Sequence, residues 1–221
     1  MEGSRVSPFV KRVSLKRLLL SALVAFLALI GAYFLLIRPW HLTWGATDEE
    51  VRRPMPGDGI HANPSFNGTR AVSVEAGPEH IWPWLVQMGY RRAGFYSYDR
   101  LDNDGIPSAD QIISEYQSLK VGDRVPMAES AYAEVLEMDS PHSMLWVFRG
   151  KGQWENATWA WGLYEEDAGH TRLVSRLRVS YKWARPSIVP MLITDVVELV
   201  MMRECLLGIK RRAERLARES T

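Results

Sequence analysis

The chain has 221 residues and a mass of 25.2 kDa, room for one domain of ordinary size with an appendage. Its composition, 47% hydrophobic and 24% charged, excludes a disordered chain, and a single cysteine, Cys205, excludes an internal disulfide framework. The formal charge of +1 conceals a basic front: in residues 1–17, Arg5, Lys11, Arg12, Lys16 and Arg17 stand against Glu2, a net of +4 that leaves the remainder at −3, so no nucleic-acid partner is expected.

Residues 18–37, LLLSALVAFLALIGAYFLLI, carry no charge and are bracketed by Lys16-Arg17 and Arg38. As a helix they span about 30 Å, the thickness of bilayer hydrocarbon. The excess of basic residues before the segment predicts a single-pass anchor with residues 1–17 cytoplasmic and the rest outside, and Tyr33 and Trp40 suit an interfacial belt. A cleaved signal would have a shorter apolar core and a small-residue cleavage site, and a buried core helix would show a polar face. The span shows neither.

Residues 38–68 read as a linker or strap. Thr47-Asp-Glu-Glu50 has the form of a capping box, predicting a short helical turn that Pro54 stops. Pro54, Pro56, Gly57, Asp58, Gly59, Asn63 and Pro64 then favour turns. From Thr69 to Gly89 one strand turns directly into one amphipathic helix. Val72 and Val74 share a face against Ser73 and Glu75, whereas Ile81, Leu85 and Met88 recur at helical spacing with Trp82 and Trp84 widening the face. Pro78 and Pro83 fit the opening turns, and Gly89 is the expected stop.

After an irregular stretch from Tyr90 to Lys120, strands are predicted at about 121–127, 132–139, 144–149, 157–166 and 171–182, with turns at Asp139-Ser140-Pro141, Gly150-Lys151-Gly152 and Asp167-Ala168-Gly169. The last strand alternates most clearly: Leu173, Ser175, Leu177, Val179 and Tyr181 face one way, Arg172, Arg176, Arg178 and Lys182 the other, which predicts one dry and one wet face. A long helix from Ser187 to Glu219 follows, with Ser187 as its cap, Pro190 in its first turn, an apolar stripe of Leu192, Val196, Leu199, Leu206 and Ile209, and Gly208 as a bend. Its basic end, Lys210 to Arg218, is interleaved with Glu214 and reads as a solvated face.

The runs Ile81-Trp-Pro-Trp-Leu-Val-Gln-Met-Gly89 and Ala93-Gly-Phe-Tyr-Ser-Tyr-Asp99 resemble a bacterial branch of the SRPBCC superfamily, the START-like, helix-grip proteins that include polyketide cyclases. The likeness runs from about Trp44 to the C-terminus. It implies an α+β helix-grip domain over 69–221, a curved antiparallel sheet wrapped around the long C-terminal helix with a cavity between them. It also implies that Trp44 to Thr47 and Pro56 to Asp58 belong to a strap on the domain.

Within that fold the expected ligand-binding wall is Trp146, Phe148, Trp159, Trp161, Leu173, Leu177 and Tyr181 from the sheet, Met191 and Met202 from the helix, and Tyr96 from the loop bordering the mouth. The same residues also suit plain core packing. The loop 91–111 holds Tyr98 and Asp99, where a phenol beside a carboxylate could orient a carbonyl or move a proton. Equally, such residues tie down backbone groups. Asp102-Asn-Asp104-Gly105 fails as a calcium loop because its first position would be Arg100 and its twelfth Gln111, and the five histidines show no metal spacing, so no metal is expected. No Walker loop, dinucleotide fingerprint or Gly-x-Ser-x-Gly elbow occurs, and no cofactor is expected. The function these features favour is a membrane-anchored binding protein for a hydrophobic small molecule, a lipid or aromatic metabolite. A cyclase or dehydratase, and an envelope scaffold, are the alternatives.

Overall fold

The computed structural model describes residues 15–61, 63–149, 157–180 and 188–220, with backbone only for 188–194. The basic tail to residue 14, the turn at Gly150 to Gly152, the strand end at Tyr181 and Lys182 and the cap Ser187 lie outside the described residues. The chain divides into two compact units, Met1–Trp40 and His41–Thr221.

In the first unit, helix α1 (Leu15–Ala32) passes through one π-helical stretch (Tyr33–Ile37) into α2 (Arg38–Leu42), whose last two residues begin the second unit. The helix Leu15–Leu42 is long and apolar enough to cross a membrane, with a mean hydropathy of 2.6.

The second unit is built on one antiparallel sheet of order β1-β6-β5-β4-β3-β2. Its strands are β1 (Phe66–Val74), β2 (Arg124–Ala128), β3 (Ala131–Asp139), β4 (Ser143–Arg149), β5 (Thr158–Asp167) and β6 (His170–Val179). β1 starts three residues before the expected Thr69. α4 (Pro78–Gln87) follows β1, with Pro78 in its first turn and Pro83 inside it, and ends two residues before Gly89, whose φ of 144° suits glycine. α5 (Asp99–Asp102) is a single turn, and α6 (Ile188–Glu219) closes the chain with 32 residues. Ile81, Trp84 and Leu85 of α4 and Leu206, Ile209 and Ala213 of α6 share one core with the inner face of the sheet. This is the α+β helix-grip arrangement.

Strand alternation and register order the inner face in rows. Arg70, Ser175, Trp161 and Met144 are cross-strand neighbours from β1 to β4, and the adjacent row is Gly68, Leu177, Trp159, Trp146 and Val135.

The outer face departs from the expected wet surface. Ala71, Leu145, Val147, Ala160 and Val174 form a second small core with Met55. The strap lies over them, carrying α3 (Asp48–Arg52), whose capping box is complete: Glu50 N–H donates to Thr47 Oγ1 (3.2 Å) and Thr47 N–H to Glu50 Oε2 (2.7 Å). The outward arginines of β6 hold it. Arg172 donates to both oxygens of Glu50 (2.7 and 2.8 Å) and to Gly45 O (2.8 Å). Arg176, only 3% exposed, donates to Asp58 (2.7 Å) and to the carbonyls of Glu50, Val51 and Arg53 (2.8 to 2.9 Å), and Arg178 donates to Asp58 (2.6 Å) and His61 O (2.5 Å). A guanidinium presents five donors in a rigid plane, so three arginines at alternate positions can satisfy irregular backbone that no strand could pair.

Candidate functional site: the interior between sheet and α6

The inner rows place a block of indoles at the centre of the sheet. Trp146 and Trp159 meet edge to face at 5.5 Å between centroids, Trp159 and Trp161 lie 4.8 Å apart, and Phe148 and Phe95 stack on Trp159 at 6.4 and 6.5 Å. Trp159 Nε1 donates to Ser175 Oγ (2.8 Å), and that hydroxyl approaches Met202 Sδ of α6 (3.6 Å). The other two indoles differ: Trp146 Nε1 and Trp161 Nε1 are buried and find no hydrogen-bond partner among the described residues. An indole N–H can only donate, and leaving one unmet when buried costs about 1–3 kcal/mol.

Beside this wall the interior turns charged. Arg70, 1% exposed, faces inward from β1; its Nε donates to His41 O (2.9 Å) and its Nη1 pairs with Glu198 Oε1 of α6 (2.5 Å). Arg70 Nη2 and Glu198 Oε2 are buried without a hydrogen-bond partner among the described residues. Burial pushes the Glu198 carboxyl above its ordinary range, Arg70 opposes that, and Asp195 one turn earlier, itself buried, reinforces it. Removing one partner of such a pair is far costlier than the pair's net worth, so its retention in a small interior marks a polar end that apolar packing alone does not need.

The sequence-derived wall residues fall into three groups. Trp146, Phe148, Trp159, Trp161, Leu173 and Leu177 line the inner face, and Met202 of α6 touches Ser175. Tyr181 lies outside the described residues, as does the side chain of Met191. Tyr96 is buried in the same core, and its polar contacts tie it to α4 and α6: its hydroxyl donates to Trp84 O (2.9 Å) and accepts from Gln87 Nε2 (3.1 Å), and its ring lies under Arg212 at 4.8 Å. With φ at 59°, it locks the loop onto α4 and α6. Of the expected helix stripe, the side chain of Leu192 lies outside the described residues and Val196 is out of phase. Val196 is 46% exposed, and the inward positions of those turns are Asp195 and Met202, with Glu198 reaching Arg70.

Tyr98 is exposed, and Asp99 accepts from Ser108 Oγ (2.5 Å), so this pair is not brought to the aromatic interior. The loop spends its polar groups on its own backbone and surface. Asn103 Oδ1 accepts from Arg91 N–H (2.7 Å), Asn103 Nδ2 donates to Ile106 O (2.7 Å), and Asp104 pairs with Arg91 (2.8 Å) and with the Tyr90 hydroxyl. Both oxygens of Asp102 are shielded from solvent; burial, then the Asp99 carboxylate, push its pKa up to about 6, opposed by its own backbone N–H and the Ser97 hydroxyl. Cys205 is buried, which raises its thiol pKa. Among the described residues no cluster of His, Cys, Asp and Glu is arranged to hold a metal.

The second unit is therefore defined by its fold as a helix-grip domain, whose interior joins an aromatic wall to a buried ion pair. No family model matches the chain, and no curated protein matches it. Among solved structures, the Polyketide_cyc-like protein of Corynebacterium glutamicum is similar at 12% identity over 66% of this chain and 89% of its own, with a TM-score of 0.42. A START superfamily protein of Mycobacterium smegmatis is 14% identical over 70% of this chain and 99% of its own, with a TM-score of 0.38. The Aha1 dimer of Colwellia psychrerythraea is 12% identical over 65% and 96%, with a TM-score of 0.40.

Proposed function

We propose that the chain is a single-pass membrane protein whose domain, 69–221 with its strap 38–68, holds a hydrophobic small molecule bearing a polar head between the sheet and α6. A lipid or an aromatic metabolite has that chemistry. One observation carries the reading: unmatched buried donors and an acceptor, on Trp146, Trp161, Arg70 and Glu198, line the same apolar interior. Ligand sites are mostly apolar with a few placed polar groups, and a polar head would meet the donors left open. The span 18–37, flanked by basic residues on its N-terminal side, favours a cytoplasmic N-terminus and an extracytoplasmic domain.

The test is native mass spectrometry of the full chain extracted in mild detergent, followed by denaturation to identify what co-purified. A stoichiometric apolar compound is expected, with occupancy reduced in Trp161→Phe and in Arg70→Met. An interior equally empty in the parent and both variants, in extracts from several sources, would reject the proposal.

A further inference from the structure

Residues 195–200 of α6 are inverted relative to an ordinary core helix. Asp195 is buried and Glu198 reaches into the interior, while Val196, Val197 and Val200 are 46%, 45% and 44% exposed. At 3.6 residues per turn the three valines form one ridge on the side away from Met202 and Leu206. Both flanks of the ridge carry amphipathic groups. On one side Arg203, the next outward position, stacks over Trp44 at 5.2 Å. On the other, Ser97 Oγ donates to Met201 O (3.0 Å), and the loop it fastens carries exposed Tyr98 and Leu101.

The chain enters this unit at His41, one residue before the end of the apolar helix Leu15–Leu42. The His41 carbonyl accepts from Arg70, and the same guanidinium pairs with Glu198 on the inward side of α6, across the helix from the valines. Trp44, two residues past the end of the apolar helix, lies under Arg203 beside the ridge, so the flank of the ridge is one side chain from the segment that leaves that helix. Resting on the proposed membrane anchor, we infer that the ridge Val196, Val197 and Val200, with Trp44 on one flank and Tyr98 and Leu101 on the other, lies in the headgroup and acyl boundary of the bilayer that holds the chain.

A bilayer fits this face better than a second protein. A stable protein interface uses roughly 20–30 residues a side, and the ridge with its flanks is far smaller. A tethered chain needs only a weak contact, because attachment keeps the local concentration of lipid high. Exposed aliphatic residues edged by Trp, Tyr and Arg have the chemistry of an interfacial helix. The arrangement also sets the entry route: one helix, its valines in lipid and its Glu198 and Met202 toward the interior, separates the bilayer from the proposed ligand chamber.

The experiment uses the full chain in phosphatidylcholine–phosphatidylglycerol vesicles, with an environment-sensitive fluorophore on Val200→Cys or, as a control on the outer face, on Glu166→Cys; Cys205 is buried and does not compete for label. The Val200 label is expected to be quenched several-fold more by acyl-chain nitroxide lipids than the control, and to be shielded from aqueous iodide. Iodide access equal to the control, or disulfide dimers through Val200→Cys at low protein-to-lipid ratio, would overturn the inference and leave the anchor intact. Flotation with carbonate-washed vesicles tests the anchor separately, and a chain that fails to float overturns both.

Discussion

Replacing Gly208 by alanine sets two effects of known size against each other. In a helix interior alanine is favoured over glycine by about 1 kcal/mol, so propensity alone predicts a gain. In α6, however, an added Cβ would stand 2.2 Å from the Tyr96 carbonyl oxygen, 2.8 Å from its Cβ and 3.1 Å from its carbonyl carbon. Ordinary C···O contacts are no closer than about 3.3 Å, so the loop or the helix must yield by roughly 1 Å. Tyr96 is poorly placed to yield. Its φ is 59°, its N–H donates to Ser108 Oγ (3.0 Å), its hydroxyl is held by Trp84 and Gln87, and Arg212 covers its ring. Overpacking costs about 1–3 kcal/mol, and a clash with backbone rather than a flexible side-chain end falls in the upper part of that range, about 2–3 kcal/mol, so after the propensity gain of about 1 kcal/mol the net loss expected is about 1–2 kcal/mol. For a unit of this size that lowers Tm by about 2–8 °C. Thermal unfolding of the full chain in detergent, followed by near-ultraviolet circular dichroism, measures it. A Gly208→Ala protein as stable as its parent, or more so, would refute the close approach of α6 to the Tyr96 loop.

Three further outcomes follow from the polar contacts. The Asp102 pKa of about 6 lies above that of an unfolded aspartate, so its protonated form favours the fold: this contribution is complete below about pH 4 and is lost as pH rises through 6. Discounted for partial exposure the effect is about 1 kcal/mol, and urea midpoints of Asp102→Asn between pH 4 and 7 should fall less with rising pH than those of the parent; parallel profiles would contradict it. Arg176→Leu removes the donor to Thr69 and to three strap carbonyls, and one of the donors to Asp58, at once. A loss of about 3–5 kcal/mol and faster proteolysis within residues 45–61 are expected, and an unchanged cleavage rate would show that the strap is held by other means. Thr47→Ala removes one half of the capping box and should cost about 1 kcal/mol in a urea titration, a smaller loss than that of Arg176→Leu; equal losses would contradict the dominance of the arginines.

Much of the architecture was legible because alternation and helical period are local. Leu173, Leu177 and Val179 announced β6 and its buried side, and Thr47 with Glu50 announced a helix start. The interior's polar end was not legible, because periodicity is interpreted on the premise that the inward phase is apolar. Extending the phase of Val72 and Val74 back by two residues reaches Arg70, and extending that of Leu206 and Met202 back along α6 reaches Glu198 and Asp195. That phase continuity was the available signal, and the valines between the acids outweighed it. The outer face was misread for a different reason. Arg172, Arg176 and Arg178 alternate as solvent-facing residues do, and what makes them inward is a segment about 120 residues earlier in the chain, which no local pattern reports.

That distance along the chain also sets an order of events in the cell. The carbonyl of Glu50 meets Arg176 across 126 residues, so the strap leaves the ribosome long before the strand that will receive it. At about 5–20 residues per second the delay is roughly 6–25 s. During it the strap must remain extended and soluble, and Asp48, Glu49 and Glu50 together with Pro54 and Pro56 suit a segment that waits without collapsing or aggregating. The three guanidiniums of β6, synthesised about 120 residues after the groups they hold, then act as the latch, and a truncated chain ending before Arg172 would leave the early segment permanently undocked.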